Sequence, residues 1–275
     1  MEFNKKLIFL HIPKTAGSTF HMILNKRYKP HEIKNLFGSR YSEPEIKSFI
    51  EAPVETKKNI RLLKGHMPYG MHNYLPDESK YISVLRNPVE RVISQYYYIK
   101  KNTYNPLHNQ VEKDGMSISE FVSSGISVGM NNGHCRFLNG DLDEYKFNQC
   151  DDILLDQVKE NIRKNFIWLG LTERFDESVL VLSKLLGWKS PPYYIRENVS
   201  KNRKSRDSIS KEEISIIEEY NSLDMNLYSF ANEMLDKQIQ EISNFSEIYD
   251  AYKRKNKTIQ KRWGWLPDRY KRFFI

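Results

Sequence analysis

Long apolar runs are missing from this 275-residue chain. No stretch approaches the roughly 18 consecutive apolar residues that a membrane-spanning helix needs. The opening Met1-Glu2-Phe3-Asn4-Lys5-Lys6 leads only into a short apolar run, too short for the hydrophobic core of an export signal. A cytoplasmic protein without a membrane anchor is the expectation. Cysteine is scarce as well: Cys135 and Cys150 stand in no metal-ligand spacing, and in a cytoplasmic chain they are expected as reduced thiols. The seven histidines show no metal spacing either, so no metal is expected. Asn-x-Ser/Thr triplets at Asn198, Asn244 and Asn256 match a glycosylation acceptor, but a chain outside the secretory route would not use them. Internal repeats and low-complexity tracts are also lacking, which excludes repeat architectures.

What is present fits one sizeable core. With 39% hydrophobic and 13% aromatic residues the chain is read as a single domain over 1–275, its C-terminal part from about 208 a helical extension. Lys and Arg number 43 against 35 Asp and Glu, a formal charge of +8. Such a surplus attracts polyanions, among them sulfated or uronic-acid glycans, nucleotides and nucleic acid, although a solvated basic surface accounts for it equally well.

The run Leu7 to Ile12 is nearly all apolar and meets Pro, Gly and Ser/Thr at once, which predicts a central parallel strand, with a helix from Thr19 to about Arg27. Ser42-Glu43-Pro44-Glu45 has the spacing of a capping box and predicts a short helix through Ile50. Strands are predicted at Ile60–Gly65 and Tyr81–Leu85, the second running through Arg86-Asn87-Pro88 into a helix to Lys101. Phe166–Leu171 repeats the theme, with Thr172 as N-cap of a helix through Leu186 that Gly187 ends. Between 102 and 165, caps at Ser117 and Asp151-Asp152 open helices that should cover the sheet, and from Ser210 to about Arg262 the pattern is helical. Alternation of this kind indicates an α/β fold with a parallel sheet flanked by helices.

Two segments carry chemistry. His11-Ile12-Pro13-Lys14-Thr15-Ala16-Gly17-Ser18-Thr19-Phe20 takes a strand through a small-residue turn onto a helix N-terminus. Backbone N–H groups there point at an anion, the helix dipole favours negative charge, and Lys14 adds a cation. A nucleoside triphosphatase P-loop would place its lysine after a second glycine, whereas Lys14 precedes the one glycine of this turn. In the second segment, Val84-Leu85-Arg86-Asn87-Pro88-Val89-Glu90-Arg91-Val92-Ile93-Ser94-Gln95-Tyr96-Tyr97, Arg86 offers a fork for a phosphate dianion and Ser94 follows about two helical turns later.

Together the two segments resemble the 5′-phosphosulfate and 3′-phosphate motifs of sulfotransferases that use 3′-phosphoadenosine 5′-phosphosulfate (PAPS), in particular the heparan sulfate and uronyl 2-O-sulfotransferases. The likeness continues through Lys64-Gly65-His66, Gly170-Leu171-Thr172-Glu173-Arg174-Phe175 and Asn198-Val199-Ser200-Lys201. It implies a three-layer, P-loop-like fold and a PAPS-dependent O-sulfotransferase acting on a hydroxyl, with adenosine 3′,5′-bisphosphate as the nucleotide product. It further implies that Lys14, Thr15, Ala16, Gly17, Ser18 and Thr19 hold the 5′-phosphosulfate, and that Arg86 and Ser94 hold the 3′-phosphate. Asn198 and Lys201 would close over the nucleotide, with Arg203, Lys204 and Arg206 as equal candidates. His66 would be the general base, a role that suits an imidazole because a sugar hydroxyl is a poor nucleophile at neutral pH. Heparan enzymes of this kind have histidine on both sides of the glycine; Lys64 stands in the first place here, and Lys64 and His72 remain candidates for assisting His66.

The acceptor is read less sharply. The basic surface, Arg136, and the helix carrying Tyr96-Tyr97-Tyr98 are compatible with an acidic saccharide, with core packing an equal account of the tyrosines. Two other classes stand behind the sulfotransferase: an ATP-dependent kinase, for which neither a magnesium ligand nor a Walker-type lysine can be placed, and a non-catalytic polyanion or nucleic-acid binder, suggested by the basic, aromatic stretch from Lys253 to Phe274. Neither explains the ordered pair of Lys14 and Arg86 motifs, and no nucleic-acid partner is expected.

Overall fold

The computed structural model of the chain describes residues 3–140, 142–196 and 209–267. Its apolar runs become strands buried on both faces, the pattern that suits an all-parallel sheet covered by helices. Strands β1 (Lys6–Leu10), β2 (Ile33–Phe37), β3 (Leu62–His66), β4 (Ser79–Leu85) and β5 (Phe166–Leu171) pair in the order β2-β3-β1-β4-β5, every pairing parallel. The helices are α1 (Gly17–Asn25), α2 (Pro44–Glu51), α3 (Pro88–Lys101), α4 (Ile118–Ser123), α5 (Gly133–Asn139), α6 (Asp152–Asn165), α7 (Phe175–Leu185), α8 (Lys211–Tyr220), α9 (Ser222–Gln240) and α10 (Phe245–Trp263). Among the described residues no helix is long and apolar enough to cross a membrane.

Sequence and structure differ at several boundaries, each for a local reason. Strand β1 ends at Leu10, because His11 to Ala16 already turn, and α1 begins at Gly17 rather than Thr19. Glu43, not Ser42, is the N-cap of α2: Pro44 fixes the first helical residue, and the Glu43 carboxylate turns back to accept from the Ser39 amide at 2.8 Å. The predicted strand at 60–65 shifts to 62–66. Thr172 caps no helix; residues Thr172–Arg174 form a 3₁₀ turn in which the Thr172 hydroxyl donates to the Leu85 carbonyl, and α7 starts at Phe175. The C-terminal helical stretch is three helices, broken at Asn221 and at Asn244, whose φ of 57° ends helical geometry. Strand β2 escapes a sequence reading because Ile33-Lys34-Asn35-Leu36-Phe37 is an edge strand that buries only Leu36 fully.

Caps at Asn87, Ser117, Asp151 and Ser210 each accept a hydrogen bond from the third residue of their helix. A stronger device joins α5 to α9. Asp224, fully buried on α9, accepts from the His134 and Cys135 amides at 2.8 and 2.9 Å, so it caps α5. In return the Asn132 side chain accepts from the Leu223 and Asp224 amides at 3.1 and 3.2 Å, capping α9. Two helix N-termini thus face each other, each satisfied by the other's side chain. The equally buried Arg91 of α3 lies 3.8 Å from the Asp224 carboxylate and donates to the Gly129 carbonyl. Asp224→Ala would leave the Arg91 charge and two amides without their acceptor, and breaking a buried pair of this type costs about 3–5 kcal/mol. A loss of that size is expected in urea unfolding; a change under about 1 kcal/mol would show that the reciprocal cap does not hold α5 to α9.

Candidate active site at the carboxyl edge of the sheet

In an open parallel sheet, ligands lie outside the carboxyl ends of the strands, where successive connections diverge. Here the central strand β1 sits between β3 and β4, with Leu10 opposite Gly65 and Phe9 opposite Ile82, so β4 runs on to Leu85 beside the loop after β1. The loop after β1 and the loop after β4 are therefore neighbours, although some seventy residues separate them in sequence.

The loop after β1 is a tight amide turn. Lys14 and Ala16 both adopt left-handed backbone, with φ of 72° and 63°, a conformation that costs an L residue of order 1 kcal/mol or more. Such residues turn successive N–H groups inward to make an anion-binding nest. Thr15 is fully buried and its hydroxyl donates to the Ile12 carbonyl at 2.8 Å, fastening the turn from below, so its side chain serves the turn and its backbone faces the nest. Gly17 opens α1, and a Cβ there would come within 1.8 Å of the His11 Nε2 atom. Only glycine lets the imidazole and the helix N-terminus approach this closely. Ser18 and Thr19 follow in the first turn of α1.

Arg86 leaves the end of β4 and ties the two motifs together. Its Nη1 donates to the Lys14 carbonyl at 3.2 Å, its Nη2 lies 3.1 Å from the Glu90 carboxylate, and Glu173 from the loop after β5 is 3.9 Å from Nε. Glu90, Ser94 and Tyr98 succeed one another by four residues on α3 and so share one face. That strip looks toward the nest, for Glu90 holds Arg86 while the half-exposed Tyr98 ring covers the Lys14 ammonium at 4.1 Å. Asn198 and Lys201 lie outside the described residues.

On the other side of β1, His66 ends β3. Its Nδ1 is 2.8 Å from the His11 carbonyl, and its ring stacks on the His11 ring with centroids 4.4 Å apart. A carbonyl can only accept, so the His66 proton sits on Nδ1 and the Nε2 lone pair is free to act as a base. Burial pushes the His66 pKa below its usual value, while the His11 carbonyl and the nearby Glu43 carboxylate push the other way. Gly65 separates Lys64 from His66 because a Cβ there would meet the Leu36 carbonyl at 2.0 Å, and its φ of 135° suits glycine alone.

Lys64 does not reach toward an acceptor. It is 4% exposed and its Nζ is 3.0 Å from His21 Nδ1. His72 is likewise engaged, its Nδ1 3.0 Å from the Tyr81 hydroxyl. Arg136, a candidate for an acidic acceptor, is buried within α5 and spends its guanidinium on the carbonyls of Asn131, Leu142, Tyr145 and Lys146. Tyr96 is buried with its hydroxyl on the Met116 carbonyl. The same carboxyl edge carries a cleft of about 620 Å³ beyond β2, lined by Arg40, Tyr41, Ser42, Asn139, Asp143 and Glu144. Its loop is fixed to the His66 strand, since the Gly38 amide donates to the His66 carbonyl at 2.9 Å. Arg40 and Asp143 form an ion pair across its rim.

Sequence reasoning missed His21, Glu43 and Glu90, and read Tyr98 with its neighbours as compatible with an acidic saccharide or with core packing rather than as a partner of Lys14. Glu90 and Tyr98 were within reach, since helical spacing from Arg86 places both on one face. His21 and Glu43 had no local signal: His21 rides on α1 and Glu43 caps α2, so the packing of those helices brings them to this edge.

Three comparisons with known proteins bear on this arrangement. The sequence model of the galactose-3-O-sulfotransferase family matches residues 2–258. The chain is 24% identical to heparan-sulfate 6-O-sulfotransferase 2 of Gallus gallus over 297 residues, covering 87% of this chain and 70% of the relative. It is 25% identical to galactose-3-O-sulfotransferase 2 of Homo sapiens, covering 85% of this chain and 61% of that one. Among solved structures, a mouse sulfotransferase complexed with PAP superposes with a TM-score of 0.43 at 14% identity, covering 92% of this chain and 90% of the other. The relatives found are 6-O and galactose 3-O enzymes, within the carbohydrate sulfotransferases toward which the paired motifs point. A match over nearly the whole length settles the family: this chain is a member of the galactose-3-O-sulfotransferase family, carbohydrate sulfotransferases that employ PAPS.

Proposed function

We propose that the protein transfers the sulfuryl group of PAPS to a saccharide hydroxyl, with the nest at Lys14 to Thr19 on the 5′-phosphosulfate, Arg86 and Ser94 on the 3′-phosphate, and His66 as general base. The observation that carries this reading is the position of Arg86: it is bound to the Lys14 carbonyl, so two anion-binding groups from separate strands sit side by side. A nucleotide with phosphates at both 3′ and 5′ positions needs that pair, and a triphosphate does not.

The chemistry is an in-line displacement. The acceptor oxygen forms its bond to sulfur while His66 Nε2 takes the hydroxyl proton, and the sulfur–oxygen bond to the nucleotide breaks with its electron pair passing to the leaving phosphate. Charge grows on that phosphate oxygen, where preorganised nest amides and the Lys14 ammonium stabilise it. The cleft beyond β2 is the place for the saccharide. Arg136 does not serve an acidic saccharide, because it is buried and engaged, and the cleft sets Asp143 and Glu144 beside Arg40.

Calorimetric titration with adenosine 3′,5′-bisphosphate, with AMP and ATP as controls, tests the donor site. Selective binding of the bisphosphate is expected, weakened at least tenfold in Arg86→Ala and unchanged within about threefold in His66→Ala, whose turnover should vanish. Preference for ATP, or the reverse pattern in the two variants, would overturn the assignment.

A pH series tests the base. His66 works unprotonated, so activity falls as pH drops through its pKa; because burial lowers that pKa, the acid limb of kcat/KM is expected below pH 6.5, the unperturbed value. Glu43→Gln removes a charge that raises the pKa and should move the limb further down. A limb above about pH 7, or one that Glu43→Gln shifts upward, would exclude His66 as the titrating base.

A further inference from the structure

The three histidines at this edge and Lys64 form a chain in which hydrogen-bond direction is determined at one end. Lys64 Nζ is 3.0 Å from His21 Nδ1, and His21 Nε2 is 3.1 Å from His11 Nδ1. An ammonium has donors only. His21 Nδ1 therefore accepts, and neutral His21 carries its proton on Nε2. That N–H donates to His11 Nδ1, so neutral His11 carries its proton on Nε2, the atom packed against Gly17 at the nest. Both rings stay neutral: burial and the Lys64 charge hold His21 down to about 3, and burial with the surrounding cations and imidazoles holds His11 well below its usual value. Lys64, lowered by burial to about 8, keeps its proton at neutral pH.

Resting on the sulfotransferase reading above, we propose that His11 is a catalytic hydrogen-bond donor to the sulfuryl or bridging oxygens of the bound donor, and that Lys64 and His21 are positioning residues that fix its tautomer. The stacked pair then divides the work. His66 presents a lone pair to the incoming hydroxyl, while His11, one ring away, presents an N–H to the group being transferred. His11 gives up no proton; the hydroxyl proton goes to His66 and the bond-breaking pair to the phosphate. This assigns Lys64 a role at a distance: it selects which His11 nitrogen carries hydrogen.

Two-bond proton–nitrogen correlation on ¹⁵N-histidine-labelled full-length protein reads each tautomer directly, with His11→Phe and His21→Phe assigning the signals. The expected result is Nε2–H for His11 and His21 and Nδ1–H for His66. In Lys64→Met, His21 and His11 should become tautomer mixtures and kcat should fall roughly tenfold or more, while adenosine 3′,5′-bisphosphate, which lacks the sulfuryl group, binds within about threefold of the parent. His11→Phe should lose about 100-fold in kcat, the size expected for one preorganised donor, again with bisphosphate affinity retained. His11 protonated on Nδ1 in the parent protein, or tautomers unmoved by Lys64→Met, would overturn the proposal. So would loss of bisphosphate affinity in His11→Phe as deep as in Arg86→Ala, because the ring would then be only a support for the nest. Failure of the parent protein to bind the bisphosphate would instead sink the donor-site reading, a result separable from tautomers measured without nucleotide.

Discussion

The contact between the His11 ring and Gly17 is the constraint on which the rest of the site depends. With a Cβ at residue 17 only 1.8 Å from His11 Nε2, the helix N-terminus and the ring could not share their present positions. Moving α1 away would open the turn whose left-handed residues, Lys14 and Ala16, aim the nest. Moving the ring would unstack it from His66 and break its approach to His21. One missing methyl therefore joins the turn on one side of β1 to the His11–His66 stack on the other. The conformational cost of the turn is met locally by the buried Thr15 hydroxyl on the Ile12 carbonyl and by Arg86 on the Lys14 carbonyl.

Much of this was legible in the sequence wherever a pattern is local. The strand runs at 7–10, 81–85 and 166–171 are apolar because both sheet faces are covered, and caps at Ser117, Asp151 and Ser210 follow from side chains that satisfy amides three residues on. The small-residue turn after β1 and the Arg after β4 could be read because each stands in a short local motif at the end of a strand. What was hidden depends on register. Strand β2 has a half-polar sequence that only its edge position explains. Arg136 looked like an available cation because nothing local says that four carbonyls surround it, and Lys64 looked like a candidate for assisting His66 because its partner His21 lies 43 residues away. The cap expected at Thr172 failed for a similar reason: the hydroxyl was claimed by the Leu85 carbonyl of the neighbouring strand.

The carboxylates around Arg86 have a particular physical role. Glu90 and Glu173 approach its guanidinium from α3 and from the loop after β5, so the fork is oriented before any phosphate arrives. Such partners hold the guanidinium in one geometry where a lone surface arginine would sample many rotamers. Lys14 has a contact of another kind: the Tyr98 face attracts its ammonium at 4.1 Å.

Opposite electrostatic pushes along two adjacent strands separate the roles of chemically identical rings. At the end of β3, the Glu43 carboxylate and the His11 carbonyl raise the affinity of His66 for a proton against the pull of burial, which keeps it a usable base. At His11 and His21 burial dominates and the Lys64 cation adds to it, so those rings have little tendency to take a proton from anything. Of the three imidazoles only His66 therefore has neighbours that favour its protonation, a selectivity among chemically identical rings. That selectivity needs no difference in the rings themselves. It follows from a buried ammonium on one side of the stack and a carboxylate on the other, placed there by the Lys64-Gly65-His66 strand end and the loop that runs beyond β2.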